Sequence, residues 1–144
     1  MRIDRVTLRG VTRFADEVSI DLASLGEGLV AFAGPNGAGK TTLLEAAFAG
    51  LHLEYPSRPG PISGVCHGKD ARIELELHNG QPHRTLVAVD AVLKSPKTEA
   101  YLFAGDGSPL TDGKVRSYYD AVGALVGSPR LMLSAALSCQ SKRG

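Results

Sequence analysis

The feature that most constrains this chain is a glycine-rich loop, GPNGAGKTT, at positions 34 to 42. The loop follows the run LVAFA (29–33), whose unbroken apolar residues are typical of a strand covered on both faces. Apolar residues then recur at helical spacing, at Leu44, Ala47, Phe48 and Leu51. The sequence therefore predicts a buried strand, a glycine loop, and a helix that begins near Gly39 and runs to Leu53.

The loop matches the phosphate-binding pattern G-x-x-x-x-G-K-[ST] at every fixed position. A triphosphate needs several converging N–H donors, and a curled backbone supplies them only where side chains are absent and positive φ is tolerated. The following helix adds unpaired N–H groups and the positive end of its dipole. We therefore predict that one set of residues binds nucleotide phosphates: Gly34, Pro35, Asn36, Gly37, Ala38, Gly39, Lys40, Thr41 and Thr42.

Three side chains of this loop have predicted roles. Lys40 can reach the β- and γ-phosphates, which makes it a catalytic as well as a binding residue, and the Thr41 hydroxyl can ligate Mg²⁺. Thr42 can add a donor near the α-phosphate. The alternative is an ordinary glycine-rich turn between a strand and a helix, and the complete pattern match disfavours it.

The rest of the chain predicts mainly antiparallel strands. Apolar residues recur at every second position, or nearly so, in five segments, at 3–8, 17–22, 71–78, 83–93 and 98–105. The first two would pair as a hairpin, and the last three, with a tight turn at Asn79-Gly80, would form a meander over 71–104. Asp112 is predicted to cap a further helix that carries Val115 and Tyr118.

Composition restricts the class of protein. Net charge is +1, so no global field attracts nucleic acid or membrane, and DNA contact would need a local patch or a partner. The two cysteines, Cys66 and Cys139, form no CxxC pair and favour a reducing compartment. No apolar run approaches the ~18 residues that cross a bilayer, and the N-terminus is unlike a signal peptide. We expect one cytoplasmic domain over residues 1–144.

Phosphoryl transfer also needs a second carboxylate at the Mg²⁺ and a group that positions the attacking water. Asp90, after four apolar residues, is the candidate carboxylate, and would make the chain a stand-alone small-molecule kinase or a GTPase. Ala91 follows where a hydrolysing ATPase would have Glu, and the segment also fits the return strand of the Asn79-Gly80 hairpin. A third hypothesis is a nucleotide-binding module without turnover. The four histidines fit no zinc template and are expected to be solvated.

Three segments resemble one family: MRIDRVTLRGVTRF at the start, GPNGAGKTTLLEAAFAGL at the loop and helix, and LSAALSCQSKRG at the end. They resemble the N-terminal half of ABC-type P-loop ATPases of the SbcC and SMC kind, which act in DNA repair and chromosome maintenance, with RecF as a cousin. The resemblance covers the whole chain in layout and is specific at the loop and its helix. It implies an α/β fold, with a parallel strand-loop-helix core and an antiparallel sheet against it.

The resemblance also implies ATP as the nucleotide and two further site residues. Gln140 matches the glutamine that contacts Mg²⁺ and the attacking water in this family, and it lies about 100 residues after Lys40 (140 minus 40). Arg13 lies in the early segment that runs close to the base and phosphates. The alternatives are a surface glutamine near a chain end and an exposed arginine in a turn.

The second half of the family has no counterpart in this sequence. Its signature motif, its hydrophobic-Asp-Glu segment, its switch histidine and its coiled coil are all missing. The resemblance therefore implies one lobe of an ATPase, which alone turns over ATP poorly. The implied partners are the C-terminal lobe, a second copy engaged on ATP binding, a nuclease, and DNA through the full assembly; no membrane partner is expected.

Overall fold

The structure, a computed structural model, describes residues 2–12, 14–21, 38–55 and 60–126, and for Arg2 and residues 38–44 only the main chain. Within these ranges the chain forms five strands, two α-helices and a short 3-10 helix at Ile62–Val65. The elements in chain order are β1 (Arg2–Arg9), β2 (Val18–Asp21), α1 (Ala38–His52), β3 (Ala71–His78), β4 (Pro82–Asp90), β5 (Lys97–Ala104) and α2 (Val115–Val126).

The five described strands form one antiparallel sheet in the order β2-β1-β3-β4-β5. The predicted hairpin and the predicted meander are both present, and they share this sheet because β1 pairs with β3, with Val6 opposite Leu75. Both strands carry buried apolar residues on the same face, so their pairing joins two apolar surfaces into one. The mixed α/β fold predicted from the sequence is confirmed.

Two predicted segments lie outside the described residues: the strand at 29–33 and the unassigned stretch that starts at Pro129. Of the predicted parallel strand-loop-helix core, the described residues therefore include only the helix. Helix α1 begins one residue before the predicted start and ends one residue before the predicted end. In the described part of the chain, neither helix has the length and apolar character that a bilayer span requires.

One face of the sheet is apolar and is covered by α1 and α2, while the other face is polar. Alternate residues of β3 show this division, since four of them are buried: Ala71, Ile73, Leu75 and Leu77. The residues between them are Arg72, Glu74, Glu76 and His78, which point to the opposite face. The two-residue period of the sequence thus decides which face packs against the helices, and each buried Leu or Ile contributes about 1.5–3 kcal/mol.

Helix α1 lies close to the sheet at Gly50. A Cβ atom at this position would stand 2.8 Å from Ile73 Cγ2 and 3.1 Å from Leu75 Cδ1, both on β3. Ala46 and Ala49, which are fully buried, present small side chains on the same helix. The absence of a side chain at Gly50 therefore allows the last turns of α1 to approach the central strand.

Tyr118 joins α2 to α1 at the same point. Its side chain is fully buried, and its hydroxyl donates a hydrogen bond to the Gly50 carbonyl. That carbonyl belongs to the last turn of α1, where carbonyls have no partner within the helix. Burial raises the pKa of the Tyr118 phenol well above its usual value, so the hydroxyl keeps its proton and remains a donor.

Asp112 lies just ahead of α2, as predicted. Its carboxylate accepts a hydrogen bond from the Lys114 N–H at 3.0 Å. This bond and a second one from the Ser117 hydroxyl lower the pKa of the Asp112 carboxyl. Lys114 precedes α2, so within the helix Asp112 contacts the first turn through the Ser117 hydroxyl and not through a backbone N–H.

We expect Gly50→Ala to lower the free energy of unfolding by about 1–3 kcal/mol, because the new methyl group overlaps the β-branched Ile73. Gly123→Ala in α2 is the matched control, since a Cβ there meets none of the described atoms within 4 Å. Alanine is the better helix former by about 1 kcal/mol, so this variant should gain stability. Urea unfolding measures both, and equal effects at the two glycines would contradict the close contact.

We expect Tyr118→Phe to cost about 1–3 kcal/mol, because it leaves the buried Gly50 carbonyl without a donor. Tyr119→Phe removes the same hydroxyl from the neighbouring residue, which is 40% exposed, and should be close to neutral. The two variants are compared by urea unfolding. A neutral Tyr118→Phe would show that the hydrogen bond contributes little.

Candidate functional site

The glycine loop enters α1 at the N-terminal end of this 15-residue helix. The helix begins at Ala38, so Gly39, Lys40 and Thr41 lie in its first turn. The N–H groups of a first turn have no partner within the helix, and the positive end of the dipole lies there. The backbone at this point therefore has the donors and the sign of charge that an anion requires.

The first turn of α1 contains no acidic residue. Asp and Glu are common at this position in other helices because they neutralise the positive end of the dipole. Here the chain has Ala-Gly-Lys-Thr instead, which leaves the positive end uncompensated by its own helix and adds the charge of Lys40. This composition fits an anionic ligand such as a polyphosphate.

The other half of α1 is fixed in the core. Most apolar residues of this half are buried, namely Ala46, Ala47, Phe48, Ala49 and Leu51. The helix packs against β3, β4 and α2. A ligand bound at the first turn would therefore be held by an element that the core keeps rigid.

His52 ends α1 and is buried, at 2% exposed, so the prediction that it is solvated was wrong. Its ring packs on Phe48 with 5.0 Å between the ring centroids. Burial lowers the pKa of His52, and among the described residues its Nε2 atom has no hydrogen-bond partner. The ring is therefore neutral at pH 7, although a helix C-terminus by itself favours the charged form.

The backbone of Ala38 to Thr42 is helical, but several predicted site residues lie outside the described residues: Arg13, Gly34, Pro35, Asn36, Gly37 and Gln140. Their contacts with phosphate, Mg²⁺ and base stay predictions. Among the described residues no group of three or more His, Cys, Asp or Glu side chains could hold a metal ion. The predicted Mg²⁺ site is of another kind, since it relies on Thr41 and Gln140.

Asp90 ends β4, and its surroundings do not suit a metal ligand beside the glycine loop. Strand β4 pairs with β3 on one side and with β5 on the other. The predicted strand at 29–33 therefore cannot pair with β4, as it would have to if Asp90 were a metal ligand beside the glycine loop. The Asp90 carboxylate accepts a hydrogen bond from the Val92 N–H at 3.1 Å. Asp90 is thus the last residue of an antiparallel strand, and its carboxylate binds the backbone at the start of the β4–β5 turn, so the kinase or GTPase hypothesis loses its carboxylate.

Two residues near the β1–β2 turn have contacts that the sequence did not predict. The His67 ring, expected to be solvated, contacts the Thr12 carbonyl with 3.0 Å between Nε2 and O. The buried Cys66 donates its S–H to the Ile62 carbonyl at 3.3 Å, and burial raises the pKa of this thiol to about 11. Cys66 is therefore protonated at neutral pH and packs as a small apolar residue.

A family profile described as AAA domain (AAA_23) matches residues 5–118 of this chain. Among solved structures, the SMC head domain from Thermotoga maritima is similar, with a TM-score of 0.49 and 19% sequence identity. That similarity covers 84% of this chain and 42% of the other, so this chain spans less than half the length of that head domain. No curated protein sequence matches the chain.

We expect the protein to lose stability on acidification because of His52. In the unfolded chain its imidazole has the ordinary pKa of 6.5, and burial lowers that pKa in the folded state. As the pH decreases below 6.5, His52 becomes protonated in the unfolded state but not yet in the folded state. The free energy of unfolding therefore decreases with decreasing pH, until the pH lies below the pKa of His52 in the folded state.

Urea unfolding between about pH 7.5 and pH 5 measures this slope, on the order of 1.4 kcal/mol per unit pH at its steepest. His52→Gln should reduce it. An unchanged slope in His52→Gln would show that other groups cause the pH dependence.

Proposed function

The chain belongs to the AAA_23 family of AAA domains, and from this membership we propose that it binds Mg-ATP through residues 34–42 and contributes to ATP hydrolysis. The observation that carries the proposal is the start of α1 at Ala38, which places Gly39, Lys40 and Thr41 in the first helical turn. A phosphate-binding loop requires this continuity from the glycines into a helix N-terminus.

Each part of the loop has a separate task in this proposal. The backbone N–H groups from Asn36 to Thr41 surround the β-phosphate, and the ammonium of Lys40 neutralises the β- and γ-phosphates. The Thr41 hydroxyl ligates Mg²⁺. Bound Mg-ATP supplies the phosphoanhydride that is cleaved, and the chain orients it. The first turn, without an acidic residue, favours this ligand electrostatically.

Hydrolysis needs groups beyond this loop. We propose that Gln140 contacts Mg²⁺ and the attacking water, that Arg13 contacts the nucleotide, and that a C-terminal lobe supplies the catalytic carboxylate. A second copy would close over the γ-phosphate, and this dimer engagement would act in DNA double-strand-break repair or chromosome maintenance, with DNA and a nuclease as partners. These proposals rest on the sequence resemblance, and they predict slow turnover by the chain alone.

The proposal is tested first by nucleotide binding. We expect Lys40→Ala to weaken the affinity for ATP with excess Mg²⁺ by about 10- to 100-fold, because hydrogen bonds from a charged donor contribute about 1.5–3 kcal/mol. Lys94→Ala is the matched control, an exposed lysine in the β4–β5 turn. Titration of a fluorescent ATP analogue measures the affinity of the wild-type chain and of both variants.

Three outcomes of this titration contradict the proposal: a wild-type chain that does not bind, equal losses in the two lysine variants, or binding that is unaffected when EDTA removes Mg²⁺. Competition with GTP tests the choice of adenine. Phosphate release by the wild-type chain tests the proposal that hydrolysis needs a C-terminal lobe. A fast rate that Lys40→Ala abolishes would show that no further lobe is required.

A further inference from the structure

The turn between β3 and β4 holds the C-terminal end of α2. The side-chain amide of Asn79 donates a hydrogen bond to the Leu125 carbonyl, 46 residues further along the chain. Leu125 lies in the last turn of α2, where carbonyls have no partner within the helix. The contact therefore supplies a donor that the helix lacks, and it ties this helix end to the tip of the β3–β4 hairpin.

Both flanks of the turn are fixed, while the turn itself is open. The His78 ring, before the turn, contacts a carboxylate of β1 at 2.7 Å. Pro82, after the turn, lies so close to Gly105 that a Cβ atom there would stand 2.6 Å from Pro82 Cγ. Between them Asn79 and Gly80 are exposed, and a Cβ at Gly80 would meet none of the described atoms within 4 Å. A chemical change at these two residues therefore acts mainly on the contact with α2.

Asn79 and Gly80 form the residue pair in which an asparagine amide is most readily lost. The Gly80 main-chain nitrogen can attack the side-chain carbonyl carbon of Asn79, because glycine has no Cβ to obstruct the approach. A C–N bond forms within a five-membered imide, and the bond to the side-chain nitrogen breaks. That nitrogen leaves as ammonia, with the proton of the Gly80 N–H. Water then opens the imide at either carbonyl and leaves aspartate or isoaspartate.

We propose that Asn79 is a modification site, at which spontaneous deamidation weakens the attachment of α2 to the sheet. A carboxylate has no N–H to donate, so the Leu125 carbonyl loses its donor. The new negative charge also lies beside the C-terminus of α2, where the helix dipole is already negative. The reaction requires water and no nucleotide, so this inference is independent of the proposed function.

The same hydrogen bond controls the rate of the modification. While the Asn79 amide is bonded to the Leu125 carbonyl, its nitrogen is held toward α2, and the side chain must leave this bond before the ring closes. Opening of the last turn of α2 therefore determines how often the amide is free to react. The loss of ammonia is irreversible in dilute solution, so modified molecules accumulate with time.

Mass spectrometry of the tryptic peptide 73–84 measures the conversion, since this peptide excludes the other asparagine, Asn36. Incubation at mildly alkaline pH favours loss of the Gly80 N–H proton. We expect slower conversion in the folded chain than in urea. Ala124→Gly, at an exposed position of α2, should accelerate the conversion about 2- to 5-fold, and Gly123→Ala should slow it by a similar factor.

Ala88→Gly is the matched control for a general loss of stability. Ala88 lies near the end of β4 that is remote from the turn. Glycine weakens the interior of a strand about as much as the interior of a helix. This variant should therefore lose stability but convert Asn79 at the wild-type rate.

Asn79→Asp reproduces one of the two products. We expect it to lower the midpoint of thermal unfolding by about 2–5 °C, because a hydrogen bond is lost and a like charge is added at the helix end. Gln81→Glu is the matched control, since it adds the same charge at an exposed residue of the same turn and keeps the Asn79 amide. Its midpoint should equal that of the wild-type chain.

Four results would overturn the inference. If Asn79 stays unmodified in the folded chain after the chain in urea has been converted, the site does not exist. Equal rates in Ala124→Gly and Gly123→Ala, or an equal acceleration in Ala88→Gly and Ala124→Gly, would show that the end of α2 does not control the reaction. Equal midpoints in Asn79→Asp and Gln81→Glu would show that the modification leaves α2 attached.

Discussion

The contact of Gly50 with β3 fixes the helix on which the candidate site depends. Without a side chain at Gly50, the last turns of α1 lie against Ile73 and Leu75. This burial would leave the Gly50 carbonyl without a partner, and the Tyr118 hydroxyl of α2 satisfies it. The sheet and both helices thus meet at one residue. Because the sequence runs from the glycine loop directly into the same helix, core packing and the proposed ligand site share one element.

The two ends of α1 have different electrostatic surroundings. The first turn contains Lys40 and no acidic residue, so the positive end of the dipole stays available to an anion. The last turn contains His52, whose burial lowers its pKa and keeps it neutral even though the negative end of the dipole favours a cation. Desolvation therefore outweighs the dipole at the buried end. At the N-terminal end, where the glycine loop leads into the helix, the dipole is not opposed in this way and favours an anionic ligand.

Much of the fold follows from local patterns. The alternation in Ala71–His78 gives the buried face of β3, Asn79-Gly80 gives the hairpin, and the match of the loop with the phosphate-binding pattern predicts a helix where α1 begins. The positions that the sequence did not settle concern tertiary surroundings. The expectation that His52 is solvated was wrong, because one histidine in a sequence does not show which elements cover it. For Asp90 the sequence left a metal ligand and a position on a hairpin strand both open, and the pairing of its strand with β3 and β5 favours the strand.

The sequence by itself determined the candidate ligand and most of the elements, because glycines, a lysine and two-residue alternation act over a few neighbouring positions. Only the tertiary structure decided that β1 joins the meander through β3, that Tyr118 meets Gly50, and that His67 holds Thr12. The partners in the last two contacts are 68 and 55 residues apart. No local period encodes such pairs, since their geometry exists only after the sheet has placed distant segments side by side.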